Sequence, residues 1–264
     1  MPSEPSTAAI NGRLWGARAR DWVDLQECQF RSVYETIFER LGLLKDAMYC
    51  DVGCGSGMAA AIASKRGARV SGLDAAENLL ALARARVPGG DFRCGDMEEL
   101  PFSDGAFDLV SGFNSFQYAG NPRAALTQAR RVTKPGGQVV VLTWGAPERM
   151  PAASLIAALR PLLPAPPPGA PGPFALSDEG ALRRFAMGAG LTPMRVEDIT
   201  CEWSYTNLDA ALRGLGSSGV AVRAIENSSE QAVNHAHSTA LEPFRQEDGS
   251  YRVGASFRWL SALA

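Results

Sequence analysis

Four short stretches of this sequence carry residues suited to hold a polar ligand, and each follows a run that reads as a β-strand. The first is Asp51-Val52-Gly53-Cys54-Gly55-Ser56-Gly57. Glycine at every second position frees the backbone to take φ > 0 and lie close against a ligand. Helical sequence from Met58 onward adds free N–H groups and a partial positive charge. The second stretch is Asp74 at the end of the next strand, a carboxylate able to accept both hydroxyls of a ribose. The third is Gly95-Asp96-Met97, where Asp96 can accept from an adenine amino group and Met97 can pack on the ring. The fourth is Gly112-Phe113-Asn114-Ser115, near the reactive end of a bound cofactor.

The elements that must position these residues alternate. Met48–Val52, Arg69–Leu73, Asp91–Cys94, Phe107–Gly112 and Gln138–Trp144 read as strands. Ala59–Arg66, Ala76–Arg86 and Arg123–Val132 read as helices between them, the last halted by Lys134-Pro135-Gly136-Gly137. Such alternation predicts a parallel sheet covered on both faces, with ligands at the carboxyl ends of the strands. Upstream, Met1–Asn11 reads as a loose tail, and two helices are expected between Leu14 and Leu44, ending near Gly42. Downstream, helices are expected at Ser154–Leu163, Asp178–Met187 (with Ser177 as N-cap), Asn207–Leu215 and Glu230–Phe244. A Gly/Ser-rich break at Gly214–Gly219 separates the last two. Met194–Trp203 and Ser250–Leu260 read as strands, and Pro164–Pro173 as loop.

Composition excludes several classes. Hydrophobic residues are 46% and charged residues 20% of 264, as in ordinary globular chains. A formal charge of −2 leaves no basic footprint for nucleic acid or anionic lipid, and no apolar run reaches bilayer length. Five scattered cysteines without a CxxC suggest neither a disulfide framework nor a zinc site, and no metal cluster is expected. A cytoplasmic location is the expectation.

A GxGxG turn alone is also the start of the dinucleotide fingerprint, whose third glycine would fall at Met58. That fingerprint asks for neither Asp51 nor Gly95-Asp96. The set Asp51–Gly57, Asp74, Gly95-Asp96-Met97-Glu98-Glu99-Leu100-Pro101-Phe102, Phe107-Asp108-Leu109-Val110 and Lys134-Pro135-Gly136-Gly137 resembles the class I S-adenosylmethionine-dependent methyltransferases. The likeness is closest to the small-molecule type that includes quinone-biosynthesis C-methyltransferases, and it covers roughly Asp46 to Trp144. It implies an α/β, doubly wound, mostly parallel seven-stranded Rossmann-like sheet with a helical cap and an antiparallel final strand. The expected division is 1–44 as N-terminal cap helices, 45–145 as cofactor core, and 146–264 as cap insertion and final strands.

The resemblance also implies roles. Gly53, Cys54, Gly55 and Gly57 would wrap the methionine moiety of S-adenosylmethionine, with Asp51 near its amino group. Asp74 would hold the ribose, Ala75 and Leu79 would flank the adenine, and Gly95, Asp96 and Met97 would read it. Phe113 and Asn114 would sit near the sulfonium. The implied reaction is in-line methyl transfer to a small organic acceptor; a Pro/Ala/Arg-rich composition points to a GC-rich bacterial genome and so to a specialised metabolite as the expected acceptor. His235 and His237 are the candidate bases if the acceptor must lose a proton. They stand two apart on a helix and so face different ways. About a third of Trp15, Trp22, Phe116, Tyr118, Trp144, Trp203 and Tyr205 are expected to line an acceptor pocket. Oligomeric state is open, a homodimer being one option. Two rival readings remain at this point: an NAD(P)-dependent oxidoreductase and a non-catalytic S-adenosylmethionine-binding protein.

Overall fold

Runs of β-branched and aliphatic residues build a seven-stranded sheet in the computed structural model, which describes residues 7–42, 45–165 and 172–264. The strands are β1 (Met48–Val52), β2 (Arg69–Asp74), β3 (Asp91–Cys94), β4 (Phe107–Phe113), β5 (Thr133–Trp144), β6 (Thr192–Tyr205) and β7 (Tyr251–Leu263). Their spatial order is β3-β2-β1-β4-β5-β7-β6. β1 pairs in parallel with β2 and β4, β2 with β3, and β4 with β5. β7 is antiparallel to both neighbours, so the sheet is mixed, with its one reversed strand last in the chain. Strand order reverses between β1 and β4, which opens a crevice beyond their carboxyl ends.

The α-helices are α1 (Thr7–Gly16), α2 (Ala19–Asp21), α3 (Arg31–Leu41), α4 (Met58–Lys65), α5 (Glu77–Arg86), α6 (Pro122–Val132), α7 (Ala153–Ala158), α8 (Glu179–Gly188), α9 (Leu208–Gly216), α10 (Gly219–Asn227) and α11 (Glu230–Leu241). Alternation along β5 separates two cores. Val140 and Leu142 join Val33, Ile37 and Phe38 of α3, with Ala59, Ala60 and Ala63 of α4. Val139 and Val141 join Ala125, Leu126 and Ala129 of α6, with Leu182 and Ala186 of α8. The sheet is therefore buried on both faces, as expected. No described helix is long and apolar enough to cross a membrane.

Several expectations need correction. Residues 7–11 belong to α1 and are no tail; 1–6 lie outside the described residues. The segment after α1 is a short helix, a π-turn at Trp22–Gln26, a 3₁₀ turn at Glu27–Phe30 and then α3, capped by Gly42 at φ 64°. Lys134-Pro135-Gly136-Gly137 lies inside β5 and does not precede it. The N-cap of α8 is Asp178, whose carboxylate accepts from Ala181 N–H, while Ser177 turns back to Phe174 O. The Gly214–Gly219 break leads into a helix, α10, that the pattern did not suggest: Ser218 caps it by accepting from Ala221 N–H. Of the expected loop Pro164–Pro173, residues 166–171 lie outside the described residues.

Candidate functional site

The four stretches singled out in the sequence converge on one cavity of about 1330 Å³ beyond the carboxyl ends of β1, β2, β3 and β4. Single small-molecule pockets span roughly 300–1,000 Å³, so there is room here for two ligands at once. Gly53 N–H and Cys54 N–H both donate to Leu73 O, at 2.7 and 3.0 Å, which pins the turn to the end of β2. Gly53 has φ 74°, and a Cβ there would fall 2.4 Å from Ser115 Cβ. Ser115 cannot give way readily, because its hydroxyl donates to Val52 O at 2.6 Å. Bare backbone at this point is what lets the loops after β1 and β4 meet.

Gly57 does a different job from the one expected of it. It is absent from the cavity wall. At φ 76° it starts α4, and a Cβ there would strike Ala83 of α5 at 2.9 Å. It serves helix packing, while Gly53, Cys54 and Gly55 line the cavity. The Cys54 thiol is buried and its pKa is pushed well up by burial, so it is an inert lining group.

Two carboxylates are held hard against the turn. Asp74 accepts from Gly55 N–H at 2.7 Å with one oxygen and from Ala76 N–H at 2.8 Å with the other. Burial raises its pKa, and backbone donors led by Ala76 and Gly55 oppose the rise. Asp51 is 2% exposed. It accepts from the Ser111 hydroxyl at 2.6 Å, and Ser111 in turn lies 2.6 Å from the Tyr49 hydroxyl. Burial pushes the Asp51 pKa up to about 7, against the pull of those two hydroxyls. Asp96 accepts from Glu98 N–H at 2.9 Å, closing the turn after β3, and Gly95 N–H donates to Asp74 O. Asp96, Met97, Ala75, Leu79, Phe113 and Asn114 all line the cavity. Asn114 stands at φ 52°, its N–H bonded to Leu142 O.

A third carboxylate escaped sequence reasoning. Glu27 follows the π-turn and is 4% exposed. It accepts from the Ser56 hydroxyl of the glycine turn and from Arg86 at 2.8 Å. π-turns gather at functional sites, and Trp22–Gln26 was the signal, although spacing alone does not reveal one. Glu27→Gln is expected to lower the unfolding free energy by about 1–2 kcal/mol, because a charge-assisted bond to a partly exposed arginine is lost. Urea denaturation would measure it.

Helix α1 lines the cavity with Ala8, Asn11, Leu14 and Trp15. Its Asn11 amide donates to Tyr118 O at 2.7 Å, and Asn78 of α5 donates to Gly16 O at 3.0 Å. It thus bridges the two sides of the crevice, and it packs along α10 through Trp15 against Gly219. The rest of the wall is largely apolar and aromatic. Trp15, Trp22, Tyr118, Trp144 and Trp203 line it, joined by Phe30 and Tyr34, which sequence reasoning did not single out. Tyr34 stacks on Phe113 at 4.7 Å. Two other aromatic candidates fall outside the wall. Phe116 is fully buried beneath Gly112, and the Tyr205 hydroxyl donates to Gln26 at 2.7 Å.

The histidines separate as their spacing predicts. His237 lines the cavity at 2% exposure, and its Nδ1 has no hydrogen-bond partner among the described residues. Burial pushes its pKa down to about 4. His235 is exposed and lies outside the cavity wall.

Comparison with known proteins agrees with this geometry. The family model described as a methyltransferase domain matches residues 50–141. A malonyl-[acyl-carrier protein] O-methyltransferase of Serratia marcescens is 36% identical over 96 residues, 36% of this chain and 38% of that protein. A demethylmenaquinone methyltransferase of Renibacterium salmoninarum is 32% identical over 119 residues, 45% and 50% of the two chains. The matches thus span half or less of these relatives' length. The fold is similar to that of geranyl diphosphate C-methyltransferase from Streptomyces coelicolor A3(2), with a TM-score of 0.52 and 16% identity over 88% of this chain and 79% of that one.

Proposed function

We propose that this chain, which belongs to the class I S-adenosylmethionine-dependent methyltransferases, passes a methyl group to a small, largely apolar organic acceptor held under its helical roof. The observation that carries the reading is one cavity with two unlike halves: a glycine turn ringed by Asp51, Asp74 and Asp96, and an aromatic chamber beside it. The residues present fit the cofactor. Asp74 keeps lone pairs for a ribose beyond its two backbone donors, and Asp51 faces the turn where an amino group would lie. Met58, in place of a third fingerprint glycine, fills the wall where close helix–pyrophosphate approach would be needed.

When bound, S-adenosylmethionine supplies a methyl group on a sulfonium that is already a good leaving group. The chain's own task is then to position and to exclude water. Gly53, Cys54 and Gly55 would cradle the amino acid tail, Ala75 and Leu79 the adenine with Gly95, Asp96 and Met97, and Phe113 and Asn114 the methyl-bearing end. His237, neutral at physiological pH, would accept a hydrogen bond from an acceptor hydroxyl and take its proton if one must leave. In this reading residues 45–145 hold the cofactor, and the flanking segments 1–44 and 146–264 form the cap and the acceptor chamber. The family match ends at Val141, before the chamber residues that follow it in the chain, so neither relative's acceptor carries over. All five cysteines are free thiols, which favours a reducing cytoplasm.

Isothermal titration decides between this and an oxidoreductase. S-adenosylhomocysteine is expected to bind at a Kd on the order of micromolar, and NAD(P)H not to bind. Binding of NAD(P)H without S-adenosylhomocysteine would overturn the reading. Radiolabelled methyl transfer to an acceptor panel then separates an enzyme from a cofactor-binding protein.

A further inference from the structure

The charged side chains of the cavity wall are sorted by sign. The carboxylates, Glu27, Asp51, Asp74 and Asp96, all stand at the turn half. Two of the three arginines of the wall, Arg160 and Arg223, stand on other elements, after α7 and in α10, while Arg123 starts α6 beside Asn121, whose N–H donates to Glu98 beyond β3. Arg160 opens the 3₁₀ turn Arg160–Leu162 after α7, and Arg223 lies in α10. These two elements pack together through Leu159, Leu162, Ala221 and Ala224, and Asn227 of α10 donates to Leu162 O at 3.0 Å. Arg123 belongs to the rim formed by the first turn of α6.

None of the three has a carboxylate within ion-pair distance among the described residues, although the surrounding helices are laced with pairs. Arg13 bonds Glu226, Arg18 bonds Glu230 and Arg213 bonds Asp21. Glu226, three residues beyond Arg223 in α10, is engaged by Arg13 with both oxygens and feels the charge of Arg223 only at longer range. Arg160 and Arg223 are exposed side chains that line the cavity without an ion-pair partner among the described residues, and apolar walls beside them focus their field into the chamber. The planar fork of arginine also suits a carboxylate in particular.

We propose that the acceptor is an apolar carboxylate, its anion held between Arg160 and Arg223 and its body lying in the aromatic chamber. This rests on the methyl-transfer reading. The sorting of charge then matches each ligand to its half: carboxylates for a cofactor of net positive charge, guanidinium groups for an acid. It also sets a direction of entry, since an anion drawn to the arginine rim is turned away from the acidic turn.

The test uses the full chain, first loaded with S-adenosylhomocysteine; failure of that loading would count against the methyl-transfer reading itself. Loaded protein is then titrated with 2-naphthoate and 2-naphthamide, and with octanoate and octanamide, by calorimetry. Each acid is expected to bind at least about tenfold tighter than its amide, since charge-assisted pairing exceeds a neutral hydrogen bond by a comparable factor. In the double variant Arg160→Gln/Arg223→Gln the preference should fall below about threefold, with S-adenosylhomocysteine affinity unchanged. Equal binding of acid and amide, or no binding of either acid to loaded protein, would overturn the proposal. So would loss of the preference in Arg123→Gln with its retention in the double variant, which would place the anion on the other rim.

Discussion

Asp74→Ala is expected to weaken S-adenosylhomocysteine binding by roughly 100-fold, or about 3 kcal/mol. The size follows from how much one side chain does. Its two oxygens accept from Gly55 N–H and Ala76 N–H, so the carboxylate ties the glycine turn to the start of α5 before any ligand arrives. Removing it leaves two backbone donors without their acceptor and takes away the proposed ribose contact. Each loss is worth about 1.5–3 kcal/mol where a charged group is involved, and part of the first loss falls on folding rather than on binding. Asp74→Asn separates the two. An amide can still accept one backbone bond but presents a donor to the other, so it should bind better than the alanine variant and worse than the native chain. Calorimetric titration of the three proteins, with thermal unfolding alongside, reads both effects. An unchanged Kd in Asp74→Ala would mean that the ribose lies elsewhere.

The cofactor half was legible because its determinants are local. Val139–Leu142 is an unbroken apolar run that only a strand buried on both faces needs, and the glycine turn is written in consecutive residues. The rest was not legible for the opposite reason. Residues 7–11, Thr-Ala-Ala-Ile-Asn, carry little periodicity, and α1 is held by distant partners, Tyr118, Asn78 and Gly219. α10 begins with Ser218-Gly219, a pair that reads as a break, yet Ser218 is its cap and Gly219 lets Trp15 approach. Glu27 is an acid in a charged, irregular segment until the fold brings it to Ser56 and Arg86. Pro135 and its glycines looked like the end of an element, but β5 continues through them next to the partly paired start of β4. Local chemistry therefore announces the cofactor, while contacts between distant residues, Gly16 with Asn78 and Asn11 with Tyr118 among them, build the aromatic half of the cavity.

Asp51 ties stability and binding together through one proton. Its folded-state pKa of about 7 stands some 3 units above the ordinary 3.8. Between those two values the folded chain holds a proton that the unfolded chain has lost. Its contribution to stability therefore falls as pH rises from about 4 to about 7 and is flat above that, a swing of about 4 kcal/mol at about 1.4 kcal/mol per unit. An ammonium group at the glycine turn would favour the ionised carboxylate, so binding there has to expel that proton below pH 7. S-adenosylhomocysteine affinity is accordingly expected to rise by up to about tenfold between about pH 6 and 7 and to level off above, with close to one proton released at the lower pH. Titration in two buffers of different ionisation enthalpy counts that proton directly. Asp51→Asn should bind more weakly at every pH and lose the slope. It should also unfold at a higher temperature than the native chain at about pH 8 without ligand, since an uncharged amide can keep the Ser111 hydroxyl bond without the cost of a buried charge. A slope that survives in Asp51→Asn would assign the proton to another group. A variant less stable at pH 8 would mean that the Tyr49–Ser111–Asp51 chain stabilises the ionised carboxylate more than its burial disfavours it.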